Sequence, residues 1–181
     1  MNRKQAFELL QKHLKNKNLQ KHCLAVEATM KHFARYFKQN EDLWGLAGLL
    51  HDLDYEKTKD DFSKHGFTSV EMLKDYNLDQ SVINAIRSHS GHVERVSLMD
   101  KVLFAVDSLT GLIIAATLMH PEKKISALDT EFVMRRFKEK RFAAGANREQ
   151  IKTCSEFDME LEDLISHTIN AMASIEAELG F

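Results

Sequence analysis

The stretch that most constrains this chain is Gly45-Leu46-Ala47-Gly48-Leu49-Leu50-His51-Asp52-Leu53-Asp54-Tyr55, an almost wholly apolar run that ends in a histidine beside an aspartate. A helix this apolar on every side belongs in the interior, and Gly45, Ala47 and Gly48 let other backbones approach it closely. His51 and Asp52 are then expected to be buried. A buried carboxylate without a partner costs on the order of several kcal/mol or gives up its charge, so the pair has to be satisfied. The spacing predicts a helix from about Asp42 to Asp54 with the pair in its last turn, where orphan carbonyls and the macrodipole favour a cation. Two readings meet the requirement: a metal ion bound to both residues, or a His-Asp hydrogen bond that pins the core.

The rest of the chain reads as all-α. Seven glycines and one proline, Pro121, leave few turns, while Ala, Leu, Glu, Lys and Met recur at helical spacing. The 181 residues fit a single domain, 1–181, with no linker to divide it. Asn2 caps a first helix to about Lys15, Asn16 to Asn18 break it, and a second runs from about Leu19 to Lys38. His65 and Gly66 introduce a fourth helix. Asp79 caps a fifth, which carries Val82, Ile83 and Ile86 and stops at Gly91. Ser97 caps a long apolar helix that ends near His120, and residues 126–181 read as two or three amphipathic helices, the last from about Phe157 to Leu179.

Charge excludes some partners. With 25 basic and 27 acidic residues, net −2, no nucleic-acid or membrane surface built on net charge is expected. A small molecule or a protein is the expected partner, and a homo-oligomer is open. Val102 to Met119 is apolar enough to suggest a membrane span, but Asp107, Ser108, Thr110 and Gly111 interrupt it, which favours a buried core helix. The two cysteines, Cys23 and Cys154, form no CxxC and read as reduced thiols. The N-terminus shows no apolar leader, and a cytoplasmic protein is the expectation.

Several polar residues fall where apolar ones belong. His22 lies beside Cys23 and one turn before Val26 on the second helix's stripe; a core histidine is the plain alternative. Asp107 is the only charged residue between Lys101 and His120. His89 shares a face with Ile86, whereas His65 opens a helix and can equally be a cap or a surface residue; His92, past the stop, reads as exposed. Near the C-terminal third, Arg135, Arg136, Lys140 and Arg141 alternate with Phe132, Val133, Phe137 and Phe142. That pattern suits either a solvated basic face or an anion-binding edge.

The segments Lys21-His22-Cys23-Leu24-Ala25-Val26, Ala47-Gly48-Leu49-Leu50-His51-Asp52-Leu53 and Ala105-Val106-Asp107-Ser108-Leu109 carry an H…HD…D spacing. This resembles the HD superfamily of metal-dependent phosphohydrolases over about residues 19–120. Asp107-Ser108-Leu109-Thr110-Gly111-Leu112 and Lys140-Arg141-Phe142-Ala143-Ala144-Gly145 further look like a small bacterial and archaeal subgroup of such proteins without a settled substrate.

The resemblance implies a multi-helix bundle in which His22, His51, Asp52 and Asp107 ligate one divalent ion, with Asp52 and Asp107 as the catalytic carboxylates. Two imidazoles and two carboxylates suit Mn, Fe, Co, Ni or Zn. Two-metal members of the superfamily place histidines where His65 and His89 stand, with the aspartate of the pair bridging. The expected activity is hydrolysis of a small phosphoester, a nucleotide above all, by a metal-activated water. Lys101, Arg135, Arg136, Lys140 and Arg141 are candidates for holding substrate, and Asp54 and Lys101 for supporting the ligands. Three other readings stand beside this one: a sensing module that keeps the metal and turns nothing over, a diiron oxygenase of the same superfamily, and a helical interaction protein with fortuitous polar core residues.

Overall fold

In the computed structural model, which describes residues 1–181, every regular element is helical. Helix α1 (Arg3–His13) opens with a capping box: the Asn2 side chain accepts from the Gln5 amide at 3.0 Å and the Gln5 side chain accepts from the Asn2 amide at 2.9 Å. Helix α2 (Lys17–Tyr36) starts earlier than the spacing predicts, because Asn16 caps it instead of breaking the chain; its side chain accepts from the Asn18 amide. There follow α3 (Glu41–Leu50), the single turn α4 (Tyr55–Thr58), α5 (Phe67–Leu73), α6 (Gln80–Ser88) and the long α7 (Leu98–Met119). Short 3-10 turns link several of these. The chain ends with α8 (Thr130–Lys138), α9 (Arg148–Lys152), α10 (Leu161–Ala173) and α11 (Glu176–Leu179).

Two expected boundaries move, each for a local reason. Helix α3 ends at Leu50, not Asp54, and residues 51–54 form a tight turn closed by Leu53 N–H to Leu50 O and Tyr55 N–H to Asp52 O. The fully buried Asp54 requires this. Its carboxylate accepts from the amides of Gly66 and Ser69, both at 2.9 Å, and its own amide donates to Ser69 Oγ at 3.0 Å. An α-helical path through Asp54 would commit that amide to the helix instead. The expected last helix is likewise broken after Ala173, and Glu176 turns its carboxylate onto the Ser126 amide and hydroxyl at 3.0 and 3.1 Å.

Helices α2 and α3 share the most extensive contact of any pair, and at its centre they approach closely. Gly48 is the reason: a Cβ there would lie 2.9 Å from Val26 O and 3.0 Å from the Glu27 Cα. Helix α7 runs through the middle, against α2, α3, α6, α8, α9 and α10. It is long and apolar enough to cross a membrane by composition, and here Val102, Leu109, Leu112, Ile113 and Ala116 lie fully buried among those neighbours. One apolar cluster extends from Ala6 to Leu179, so Val133, Leu164, Ile165 and Met172 share a core with the helices around His51. Cys23 and Cys154 are buried and unbridged.

Candidate metal centre

The packing of α2, α3, α6 and α7 brings six sequence-predicted side chains to one place. His22 comes from the second turn of α2, His51 and Asp52 from the turn after α3, His65 from the residue before Gly66, His89 from the end of α6 and Asp107 from the middle of α7. His22 Nε2 lies 3.0 Å from Asp107 Oδ1, 3.2 Å from His51 Nε2 and 3.6 Å from Asp52 Oδ2. His51 Nε2 is 3.5 Å from both Asp107 Oδ1 and Asp52 Oδ1. On the other side, Asp52 Oδ1 faces His65 Nε2 at 3.2 Å and His89 Nε2 at 3.5 Å, and those two nitrogens are 3.0 Å apart. Asp52 is thus shared between two groups of imidazoles.

Each ring is turned by a bond at its other nitrogen. His51 Nδ1 donates to Gly48 O at 2.8 Å and His89 Nδ1 to Ile86 O at 2.6 Å. His65 Nδ1 donates to Asp54 Oδ1 at 2.8 Å. His22 Nδ1 lies 3.3 Å from Thr110 Oγ1, whose own proton goes to Asp107 O at 2.9 Å, so the hydroxyl accepts. A carbonyl or carboxylate can only accept, which places a proton on Nδ1 and turns Nε2, whose own proton a metal ion would displace, inward. Outer partners of this kind orient metal-binding histidines.

Electrostatics gives the same requirement. Burial alone would lower the His51 pKa, but the Asp52 and Asp107 carboxylates outweigh it and hold the imidazole at about 9. Burial likewise opposes charge on His65, and Asp52 and Asp54 raise it to about 9. Burial works against the Asp52 and Asp107 carboxylates too; His51 and the neighbouring imidazoles nevertheless hold both well below the usual carboxylate range. The cluster demands positive charge. A proton bridges two atoms at most, whereas His22, His51 and Asp107 offer three ligand atoms within 4.8 Å of one another, as do His51, Asp52 and His89. A divalent ion bonds all members of such a set, and the N/O donors fit one.

All of the cluster but the fully buried His51 lines a cavity of about 700 Å³. Its far wall, Ala143 to Asn147, comes from the segment between α8 and α9. Arg148 shapes this wall. Its guanidinium donates to the carbonyls of Ala143 and Ala146, both at 2.7 Å, and of Phe142 at 2.5 Å, with longer bonds to Arg136, Phe137 and Glu139. Two residues on, Gln150 donates to Phe104 O at 2.7 Å and reaches Asp107 Oδ2 at 3.4 Å, while it accepts from Ser108 at 3.0 Å. Sequence reasoning missed Thr110, Arg148 and Gln150, since only the tertiary fold brings them to the histidines. Asp54, anticipated as a supporting residue, meets His65 directly.

The basic candidates lie elsewhere. Arg135 pairs with Glu131 at 2.8 Å and Arg136 with Glu139 at 2.9 Å, while Lys140 and Arg141 are exposed. Lys101 donates to Glu156 O at 3.4 Å. None of the five borders the cavity. His92 is exposed, as expected, and donates to Phe62 O at 2.8 Å.

Comparison with known proteins gives a match to the HD domain family over residues 19–112. Ribonuclease Y of Staphylococcus epidermidis is 31% identical over 169 residues, which span 91% of this chain and 32% of the relative. Ribonuclease Y of Sulfurovum sp. is 35% identical over 89 residues, 49% of this chain and 18% of that protein. The chain therefore spans a third or less of these relatives. No solved structure matches it.

Proposed function

The chain belongs to the HD domain family, a superfamily of metal-dependent phosphohydrolases, and on that premise we propose that it hydrolyses a phosphoester above the His-Asp cluster. One observation carries the reading: four Nε2 atoms converge on Asp52 and Asp107 while each Nδ1 is engaged elsewhere. HD domains bind divalent metals. In this reading His22, His51, Asp52 and Asp107 would hold one transition-metal ion, and His65, His89 and Asp52 would hold a second. Bound there, an ion of the Mn, Fe, Co, Ni or Zn type lowers the pKa of a water towards neutral and withdraws charge from a phosphoryl oxygen.

Hydrolysis puts the water oxygen on phosphorus and breaks the ester P–O bond, and the departing alcohol takes up the proton. The chain's own contribution is to keep Asp52 and Asp107 ionised, to hold each imidazole in its Nδ1–H form, and to screen the cluster from bulk water with the wall at residues 143–147. Residues 1–181 act as one unit, a proposal supported by the core that both halves share. A nucleotide is the proposed substrate, and the two ribonucleases bring a phosphodiester of RNA beside it as a second reading. The expectation of no nucleic-acid partner rested on net charge alone and is set against those relatives.

The test is metal analysis of protein purified without added metal, followed by a screen of mononucleotides, dinucleotides and short oligoribonucleotides. Bound transition metal with turnover of any of these upholds the proposal. Metal without turnover of any phosphoester points to the sensing or oxidative alternatives and overturns it. Titration of metal-free protein with Mn²⁺ counts the ions: His65→Ala and His89→Ala are expected to lose one of two, and a wild-type stoichiometry of one removes the second site.

A further inference from the structure

We propose that the cavity selects its substrate through a planar heteroaromatic group, the base of a nucleoside phosphoester, stacked on Phe62. This rests on the phosphohydrolase reading of the cluster. Phe62 is 52% exposed at the edge of the cavity, within Lys59-Asp60-Asp61-Phe62-Ser63-Lys64, where every other side chain is charged or polar. Core packing does not account for an aromatic ring there. The ring leans on His65 with centroids 4.8 Å apart and planes at 35°, so a group laid on Phe62 lies beside the cluster. Its backbone is held in advance: His92 Nε2 donates to Phe62 O at 2.8 Å, and Lys64 closes the turn onto Asp61 at 2.7 Å. A stacking surface ordered before binding loses little entropy on binding.

The composition of the cavity excludes the usual alternative, recognition by charge. No Lys or Arg lines it. Lys64 is paired with Asp61, and Arg95 lies 3.9 Å over the Phe104 ring with its guanidinium on Glu156. A long polyphosphate would find no cation beyond the cluster itself. Away from the cluster the cavity is lined by neutral side chains, among them the Phe62 and Phe104 rings, Ser90, Asn147 and Gln150. A volume of about 700 Å³ suits a nucleoside phosphoester. The base can belong to a free nucleotide or to the end of an RNA strand, since both present the same face to Phe62.

The experiment compares adenosine 5′-phosphate with ribose 5-phosphate, which differ only in the base, and adds a short oligoadenylate. Phe62→Ala, at an exposed position, is expected to lower kcat/KM for both adenine-bearing substrates by about tenfold and to leave ribose 5-phosphate within about twofold. Damage to His65 would instead lower all three together, and that result overturns the proposal, as does no change in any. The wild-type preference between adenosine 5′-phosphate and oligoadenylate identifies the source of the base, and either source upholds the stacking. A second measurement needs no turnover. In Phe62→Trp the new indole emission is expected to be quenched by adenosine and not by ribose, and an absence of quenching by adenosine overturns the proposal. If no phosphoester is hydrolysed, the function has failed, and the quenching alone decides the role of Phe62.

Discussion

Asp52 touches both groups of imidazoles, so its replacement separates this site from a hydrogen-bonded core cluster more cleanly than any other change. Asp52→Ala is expected to reduce bound metal to background and activity by at least about a hundredfold; full metal content in this variant would remove the assignment. Asp54→Asn probes the outer layer. Weakening the acceptor for His65 Nδ1 should lower affinity for one ion by about 10- to 100-fold in a Mn²⁺ titration while the other is retained. The basic residues are the converse case: Arg135→Ala and Arg136→Ala, each already paired with a glutamate on or just beyond its own helix, should leave KM unchanged within about twofold. A clear rise in KM would restore them as substrate ligands. His22, His51 and Asp107 were legible because each interrupts an apolar stripe. Gln150 and Thr110 were not, because a neutral polar residue on an amphipathic helix carries no such anomaly until its neighbour across the fold is known.

At the level of elements, the approach of α2 to α3 sets the position of His22 against His51. Gly48→Ala would place a methyl group 2.9 Å from a backbone carbonyl that belongs to α2 and cannot swing away. The expected cost is about 1–3 kcal/mol, read as a loss of roughly 2–12 °C in Tm with a fall in metal affinity as the two histidines separate. A variant as stable as the wild type would show that the helices can part without harm. The start of α7 was legible from Ser97, and the structure adds Asp100 as the other half of its capping box. The end of α3 was not. Nothing in the run Leu50 to Tyr55 announces that Asp54 will bond to Gly66 and Ser69, and that long-range bond unwinds the last turn and aims Asp52 at both groups of histidines.

Across the whole molecule, the cluster draws on α2, α3, α6 and α7 together, so metal held there, as proposed, would add to global stability. At a free metal concentration about a thousand times Kd the gain is about 4 kcal/mol, and removal by a chelator should lower Tm by roughly 8–16 °C. Restoration by Mn²⁺ in the wild type but not in Asp52→Ala would tie the shift to this site, and an unchanged Tm would place the ions elsewhere. The all-α architecture and the central α7 were legible from periodicity, whereas the shape of the cavity was not, because its far wall lies outside the stretch that carries the HD motif. That wall has its own logic. Arg148 binds carbonyls from residues 136–146, all close in sequence, so one side chain cross-links the whole segment, while Gln150 and the buried Phe137 and Ala146 join it to the helices beneath. Amide hydrogen exchange should therefore register the residues from Arg136 to Arg148 as one cooperative group, distinct from the helices beneath them.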